Sequence, residues 1–366
     1  MKRIFSALFI IISFFSLSAQ AQSALAKYGN DFLSTGAGAR ALGMGGTHSA
    51  LANDVTAGYW NVAGLAHVIQ PELIYMHSER FGGIVGYDYG AVAMPLKSGN
   101  GVVGISFFRQ GVDNIANTLN AWDNERGPNG GPREDAESYI TKFSAADVAI
   151  FLSYAKKHSD KLSYGASAKI INQRLGPFAN AWGYSIDVGA QYKTDFIDLG
   201  ASIQDVTTMQ KMWTVNEEEF TGSNGQSFQE TFGDSIPSGQ NEYVLPSVRL
   251  GASKTFSVTD FDFVAAADLN LLFENRRAYY MNIGSMSIEP HIGGEVTYKN
   301  RISARAGLTD FVDDPESGFS VSPTLGLGFR VATFYIDYGF ASFAGTSSNL
   351  GYTHRISLKF NLKGKG

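Results

Sequence analysis

The fold of this chain is decided by stretches in which apolar and polar residues alternate. The clearest stretch is residues 319–330, which read Phe-Ser-Val-Ser-Pro-Thr-Leu-Gly-Leu-Gly-Phe-Arg. Its apolar positions are Phe319, Val321, Pro323, Leu325, Leu327 and Phe329. A period of two places successive side chains on opposite faces of a β-strand. The stretch therefore predicts a strand with one apolar face and one polar face.

The same alternation recurs along the chain and predicts fourteen strands. They are expected at residues 71–79, 83–96, 100–110, 144–157, 160–173, 180–193, 195–205, 243–257, 260–272, 286–299, 300–309, 318–330, 331–341 and 350–363. Most of these stretches reach the length that a tilted strand needs to cross a lipid bilayer. After residue 70 no helical stripe of similar length is found in the sequence.

The long connections between the predicted strands all fall at the same end of the strands. Every long connection follows an odd-numbered strand: residues 111–143, 206–242, 273–285, 310–317 and 342–349. Short turns at one end and long loops at the other are typical of outer-membrane barrels, as is an even strand count. The sequence therefore predicts a closed antiparallel 14-stranded outer-membrane β-barrel. Its lumen is too wide for strand side chains to fill, so it must be plugged or open.

Composition agrees with a β-architecture and excludes several other classes. Gly contributes 41 of the 366 residues, aromatic residues make up 13%, charged residues 17%, and Cys is absent. The absence of Cys excludes a disulfide scaffold, a Cys-ligated zinc site and a Cys nucleophile. The net charge of −5 disfavours a nucleic-acid partner, because phosphate contacts need clustered Lys and Arg.

Residues 1–22 are predicted to be a signal peptide. Lys2 and Arg3 precede an apolar stretch from Phe5 to Leu17, and Ala19-Gln20-Ala21 is a small-x-small cleavage site. A single-pass anchor is the alternative interpretation. The domain organisation predicted from the sequence is a signal peptide at 1–22, an N-terminal plug at 23–70 and a barrel at 71–366.

The predicted plug is rich in glycine. Its candidate functional residues are Gly36, Gly38, Arg40, Gly43, Gly45, Gly46, Asp54, Trp60, Asn61 and Gly64. A Gly-x-Gly-x-x-Ala string at residues 36–41 raises the possibility of a dinucleotide site, but no convincing strand precedes it and no βαβ pattern follows. The favoured interpretation is that these glycines allow turns and close packing inside a crowded lumen.

The plug motifs resemble those of a known family. Gly36-Ala-Gly-Ala-Arg40, Leu42-Gly-Met-Gly-Gly46, Ala50-Leu-Ala-Asn-Asp54 and Tyr59-Trp-Asn-Val-Ala-Gly-Leu65 are similar to the N-terminal block of the PorV/PorQ family. That family resembles the broader FadL-like outer-membrane barrels, which have fourteen strands and an N-terminal plug. Val62 stands where the family usually has Pro, and it leaves the local backbone less constrained.

The resemblance implies a place in the outer membrane of a Bacteroidetes-type bacterium and a role in type IX secretion. The implied partners are translocon or attachment-complex subunits and the C-terminal domains of secreted cargo. The broader group implies an alternative, the transport of hydrophobic small molecules such as long-chain fatty acids, with a hydrophobic ligand in the lumen. A purely structural barrel is the third hypothesis.

The long loops carry the candidate residues for binding protein partners. These are Trp122 in the first long loop and Trp213, Phe220, Phe228 and Phe232 in the second, which also holds the acidic run Glu217-Glu218-Glu219. Apolar anchors among charges suit a protein-binding loop, and they equally suit a loop that folds over its own lumen. Both interpretations stay open at this point.

The sequence predicts no enzyme activity, no cofactor and no metal site. It lacks a Gly-x-Ser-x-Gly elbow, a phosphate-binding Gly-x-x-x-x-Gly-Lys-Ser/Thr loop and any His-x-x-x-His pair. Four acidic residues of the first long loop, Asp123, Glu125, Glu134 and Asp135, match no calcium-loop spacing. A solvated acidic loop is the favoured interpretation of these four residues.

Overall fold

The computed structural model describes most of the chain. The described residues are 23–25, 29–97, 99, 101–123, 125–126, 130–220, 241–274, 281–314, 318–342 and 351–362. The predicted signal peptide at residues 1–22 lies outside them.

Fourteen antiparallel strands close into one barrel, as the alternation predicts. They are β1 (Glu72–Arg80), β2 (Val85–Pro95), β3 (Val102–Asn117), β4 (Thr141–Lys157), β5 (Leu162–Leu175), β6 (Ala179–Lys193), β7 (Asp198–Gln204), β8 (Ser247–Val258), β9 (Phe261–Leu272), β10 (Met286–Tyr298), β11 (Ile302–Asp314), β12 (Gly318–Val331), β13 (Phe334–Ser342) and β14 (Tyr352–Asn361). Each strand pairs with the next, and β14 pairs with β1, with Asn361 opposite Glu72. Closure gives both edges of the sheet a partner.

The alternation in each strand separates an outward apolar face from an inward polar face. In β12, Leu325, Leu327 and Phe329 keep 57%, 48% and 48% of their surface exposed. Their neighbours Ser322 and Thr324 are buried inside the barrel. Apolar side chains therefore cover the outside of the wall, which is the arrangement that a lipid surrounding requires.

β3, β4 and β11 are longer than the sequence predicts, and β11 runs to Asp314, into the predicted loop 310–317. β3 runs to Asn117 and β4 begins at Thr141, so part of the predicted first long loop is paired strand. The register of this pair shifts between Val112 and Ile115, where Asn114 has a φ of 60°. This irregularity interrupts the alternation, which explains why the sequence pattern ends early.

The second long connection is partly strand as well. Its residues Gln210–Val215 pair with the first residues of β6, Ala179–Tyr184, and Asn241–Val244 pair with Met209–Met212. Met209–Val215 continues β7 after an interruption at residues 205–208, and Asn241–Val244 leads into β8. Trp213, predicted to lie in a loop, therefore lies in a strand. Phe228 and Phe232 lie outside the described residues.

The remaining regular elements are short. Helical turns comprise Asp31–Thr35, Ala39–Gly43, Ala57–Trp60, Val62–His67, Phe81–Gly83, Leu119–Ala121, Ala136–Tyr139 and Glu217–Phe220. Two short strands, Ser23–Leu25 and Met281–Ile283, join the barrel sheet, and Trp122–Asp123 pairs with Gly131–Pro132 in a separate two-stranded sheet. Among the described residues, no helix is both long and apolar enough to span a bilayer.

Candidate functional site

The segment of residues 29–70, here called the plug segment, lies inside the barrel and divides its lumen. Its helix Ala39–Gly43 packs against β11, β12, β13 and β14. Its helical turn Val62–His67 packs against β3, β4, β5 and β6. The segment thus bridges opposite walls, and most of its side chains are buried. This arrangement agrees with the predicted lumen plug.

Glycines allow the plug segment to touch the wall with its backbone. A Cβ atom on Gly43 would lie 2.8 Å from Cα of Gly326, and one on Gly45 would lie 2.8 Å from the carbonyl oxygens of Ile292 and Leu308. On the wall side, a Cβ on Gly293 would lie 2.2 Å from the carbonyl oxygen of Met44. Such distances leave no room for a side chain on either surface.

Four of the motif glycines, Gly36, Gly38, Gly45 and Gly46, also have a positive φ, a backbone shape that other residues avoid. Gly36 and Gly38 have φ values of 79° and 86° and lie just before the helix Ala39–Gly43. The helical turn Asp31–Thr35, and no strand, precedes this Gly-rich string. The string therefore lacks the strand that a dinucleotide fingerprint requires.

Trp60 lies at the centre of the plug segment. Its Nε1 donates a hydrogen bond to the carbonyl oxygen of Ala37 at 2.8 Å, and its ring meets the ring of Tyr59 edge to face. A Cβ on Gly36 would come 2.8 Å from the indole, so this glycine makes space for it. The indole of Trp60 also lies beneath the guanidinium of Arg249, 5.0 Å from the ring centre.

Asn61 ties three backbone segments together. Its Oδ1 accepts from the backbone N–H of Ala63, which caps the turn Val62–His67. Its Nδ2 donates to the carbonyl oxygens of Ser49 and Ala190, at 2.8 and 3.1 Å. Val62 occupies the first position of this helical turn, where a proline is readily accepted. The departure from the family's Pro therefore leaves the capping geometry in place.

The charged plug residues Arg40 and Asp54 pair with the barrel wall. Arg40 forms two hydrogen bonds to the carboxylate of Glu295, at 2.8 and 2.9 Å, and Glu295 also pairs with Arg305 of β11. Asp54 accepts from Lys359 at 2.6 Å. Burial alone would raise the pKa of Asp54, but the ammonium of Lys359 holds that pKa well below its usual value. Both residues therefore anchor the plug as charged groups.

Other wall residues bind the plug backbone, and the sequence patterns did not reveal them. Asp268 accepts from the N–H groups of His48 and Ser49, at 2.9 and 2.8 Å. Gln191 donates to the carbonyl oxygen of Ala52 at 2.8 Å. These partners lie more than a hundred residues from the plug, so no local spacing connects them.

Inside the lumen, one cavity lies on each side of the plug segment. The loop-end cavity, of about 330 Å³, includes Asn30, Leu42, Trp60, Arg249, His291 and Arg355 in its lining. The turn-end cavity, of about 310 Å³, includes Arg40, Asp54, Glu72, Glu295, Arg305 and Lys359. The plug supplies residues to both linings, so it stands between the two cavities.

A third cavity, of about 510 Å³, lies among the first long loop and the adjacent strand ends and is largely apolar. This apolar cavity includes Trp122, Ile140, Phe143, Leu175, Phe178 and Phe220 in its lining. The rings of Phe143 and Phe220 lie 5.2 and 5.1 Å from the ring of Phe178. Trp122 and Phe220, predicted as partner-binding residues, meet here, whereas Trp213 lies outside this lining.

The described residues contain no cluster of three or more acidic or histidine side chains arranged to hold a metal ion. In the first long loop, Glu134 lies 3.5 Å from Arg126. Both side chains of this pair are exposed.

Comparison with known proteins shows the fold of the chain. No protein-family model and no curated protein matches it. The toluene transporter TodX of Pseudomonas putida superposes with a TM-score of 0.54 at 15% identity, over 88% of this chain and 96% of its own. The CymD monoaromatic hydrocarbon channel gives a TM-score of 0.55 at 13% identity, over 90% and 98% of the two chains. The toluene transporter TbuX of Ralstonia pickettii gives 0.52 at 12% identity, over 90% and 99%. This chain therefore has the barrel fold of these transporters.

Proposed function

We propose that the protein is an outer-membrane barrel that passes small molecules with a hydrophobic part across that membrane. The outward apolar faces of its strands suit a surrounding of lipid. The observation that carries the proposal is the apolar cavity at the long-loop end, where Phe143, Phe178 and Phe220 form an aromatic cluster. An apolar recess of this size is suited to capturing a hydrophobic molecule from water.

The interior of the barrel supports the same proposal. The lumen is not filled, because a cavity lies on each side of the plug segment. The proteins that share the fold include transporters and channels for toluene and monoaromatic hydrocarbons. In this proposal, a molecule enters at the long-loop end and passes the plug when the plug shifts.

Uptake by living cells tests this function. A Gram-negative host without such a channel would express the chain, and entry of radiolabelled toluene would be measured. Phe178→Glu places a charge in the aromatic cluster and is expected to lower uptake to the level of cells with an empty vector. Phe196→Glu is the matched control, since Phe196 lies in a turn at the opposite end and is 74% exposed.

Equal uptake by the Phe178→Glu and unaltered proteins would contradict the proposal. So would a lack of uptake by cells whose unaltered barrel is folded. Heat-modifiable migration of each variant on a gel reports folding independently of transport.

A second candidate function is the binding of type IX secretion partners, which the plug motifs suggest by resemblance. One structural feature favours it: Trp122, Tyr139 and Ile140 of the first long loop are 36%, 39% and 40% exposed. Exposed aromatic residues are frequent anchors for protein partners. Isolation of the intact barrel from its native membrane in mild detergent is expected to recover translocon or attachment subunits, or secreted cargo. Recovery of the barrel alone would argue against this second candidate.

A further inference from the structure

The outer wall of the barrel carries charged residues at positions where the alternation places lipid-facing side chains. These residues are His77 and Glu79 on β1, Asp88 on β2 and Arg109 on β3. Each shares a face with exposed apolar residues of its own strand, as His77 and Glu79 do with Leu73. The four side chains, here called the charged wall surface, therefore point outward, where the rest of the wall meets lipid.

The charged wall surface has apolar neighbours on both sides. Arg109 is in register with Val148 of β4. On the other side, polar groups continue through a hydrogen bond between Tyr338 of β13 and His354 of β14, at 2.7 Å. They end at Leu327 of β12, which lies opposite Tyr338 and is 48% exposed. The polar groups thus form a patch on the outside of the barrel.

Contacts within this surface leave its charges incompletely paired. Asp88 accepts a hydrogen bond from Tyr75 at 2.7 Å. It also lies 2.9 Å from Nδ1 of His77 and 3.5 Å from Nη1 of Arg109. Glu79 lies 3.5 Å from Nε2 of His77, and Glu79 and Arg109 keep 61% and 40% of their side-chain surface exposed. Because charges are unfavourable on a lipid-facing wall, a polar neighbour inside the membrane would stabilise this surface.

The arrangement of the charges indicates which neighbour suits them. Glu79 lies on β1 and Arg109 on β3, with Asp88 between them on β2. Two carboxylates against one guanidinium are poorly suited to the phosphates of a lipid headgroup, which attract basic clusters. A second copy of the chain is complementary, because a two-fold axis normal to the membrane reverses the order of the strands. It brings Arg109 of one copy opposite Glu79 of the other.

We propose that the charged wall surface is the interface at which two copies of this chain associate in the membrane. Arg109 of each copy pairs with Glu79 of the other, and the two β2 strands lie side by side at the axis. Gly86, two residues from Asp88 on the same face of β2, allows close approach. No atom of the described residues lies within 4 Å of the position that its Cβ would occupy. The inference is independent of the proposed function.

Disulfide cross-linking in membranes tests this interface, since the native chain has no Cys. Gly86→Cys places a thiol near the axis and is expected to give a disulfide-linked dimer when membranes that hold the barrel are treated with an oxidant. Leu250→Cys, at an outward position of β8 that is 42% exposed, is the matched control. It lies on the opposite side of the barrel and is expected to stay monomeric. Heat-modifiable migration reports the folding of each variant.

Charge exchange tests whether the pairing joins two copies. Arg109→Glu and Glu79→Arg, each made together with Gly86→Cys, place like charges opposite each other in their own dimers. Each is therefore expected to lower the yield of linked dimer at least about fivefold. Co-expression of the two variants with different affinity tags is expected to restore the yield as mixed dimers, since opposite charges then meet at both contacts. Contacts within one barrel would give no such restoration.

A yield of linked dimer from Gly86→Cys no greater than that from Leu250→Cys would overturn the inference. An undiminished yield in Arg109→Glu, or a lack of mixed dimers from the co-expressed variants, would overturn it as well. Native mass spectrometry of the unaltered barrel in mild detergent needs no Cys and is expected to show two copies. A single copy that carries lipopolysaccharide would assign the charged wall surface to lipid and contradict the proposed interface.

Discussion

An alanine in place of Gly64 would have no space in the plug segment. Its Cβ would lie 2.1 Å from the carbonyl oxygen of Ala52 and 2.9 Å from the Cβ of Ala57. The obstruction is backbone, which cannot turn aside as a flexible side chain can. Gly64→Ala is therefore expected to destabilise the packed plug by about 2 kcal/mol or more, as overpacking of a dense interior does. Hydrogen-exchange protection of residues 36–65 measures this change.

The matched control is Gly86→Ala on β2. No atom lies within 4 Å of the position that its Cβ would occupy, and its φ is not in the left-handed region. The control is expected to change protection by less than about 0.5 kcal/mol. Similar losses in the two variants would show that the close approach at Gly64 is not what matters.

At the scale of elements, a buried cluster of charged side chains stabilises the chain at the interruption between β7 and the strand Met209–Val215. Lys169 lies 3.0 Å from Asp187 and 2.7 Å from Asp205, and Asp205 also accepts from Ser185. Lys169→Met would leave two buried carboxylates without their cation. We expect a loss of about 3–5 kcal/mol in the free energy of unfolding, measured by urea titration in detergent.

Removal of the two carboxylates should restore much of that loss. The variant that combines Lys169→Met with Asp187→Asn and Asp205→Asn has no unpaired charge in the cluster, so it is expected to be more stable than Lys169→Met alone. If Lys169→Met were as stable as the unaltered barrel, the charged cluster would not be what stabilises the chain at this interruption.

The fourteen strands could be predicted because alternation is a direct consequence of a wall with lipid on one side and a polar lumen on the other. The strand Met209–Val215 could not be predicted, because a four-residue interruption with positive φ at Asp205 and Thr208 separates it from β7. The plug glycines could be recognised from composition and motif. Their wall partners, such as Asp268 and Lys359, could not, because strand register and plug position together bring them close.

At the scale of the whole molecule, the plug segment is expected to loosen in mild acid. His48 is buried in it, and burial together with the charge of Arg40 lowers the pKa of His48 to about 4. Below pH 6.5 the unfolded segment binds a proton that the packed segment excludes. The packing free energy is therefore complete above pH 6.5 and falls as the pH decreases towards 4, by about 1.4 kcal/mol per unit.

Exchange protection of residues 36–65, corrected for the intrinsic pH dependence of exchange, measures this loss between pH 7 and pH 4. Burial and the nearby Lys193 also lower the pKa of His67, in the turn Val62–His67 of the plug, to about 4. His48→Gln is therefore expected to remove part of the decline, and His48→Gln combined with His67→Gln most of it. Asp54 also has a lowered pKa, but its carboxylate stabilises the segment above its unfolded pKa and loses that effect only below about pH 3.8. A decline between pH 6.5 and 4 therefore belongs to these two buried histidines, and an undiminished decline in the double variant would contradict this assignment. Since the plug separates the two lumen cavities, the same titration tests whether acid loosens the barrier between them.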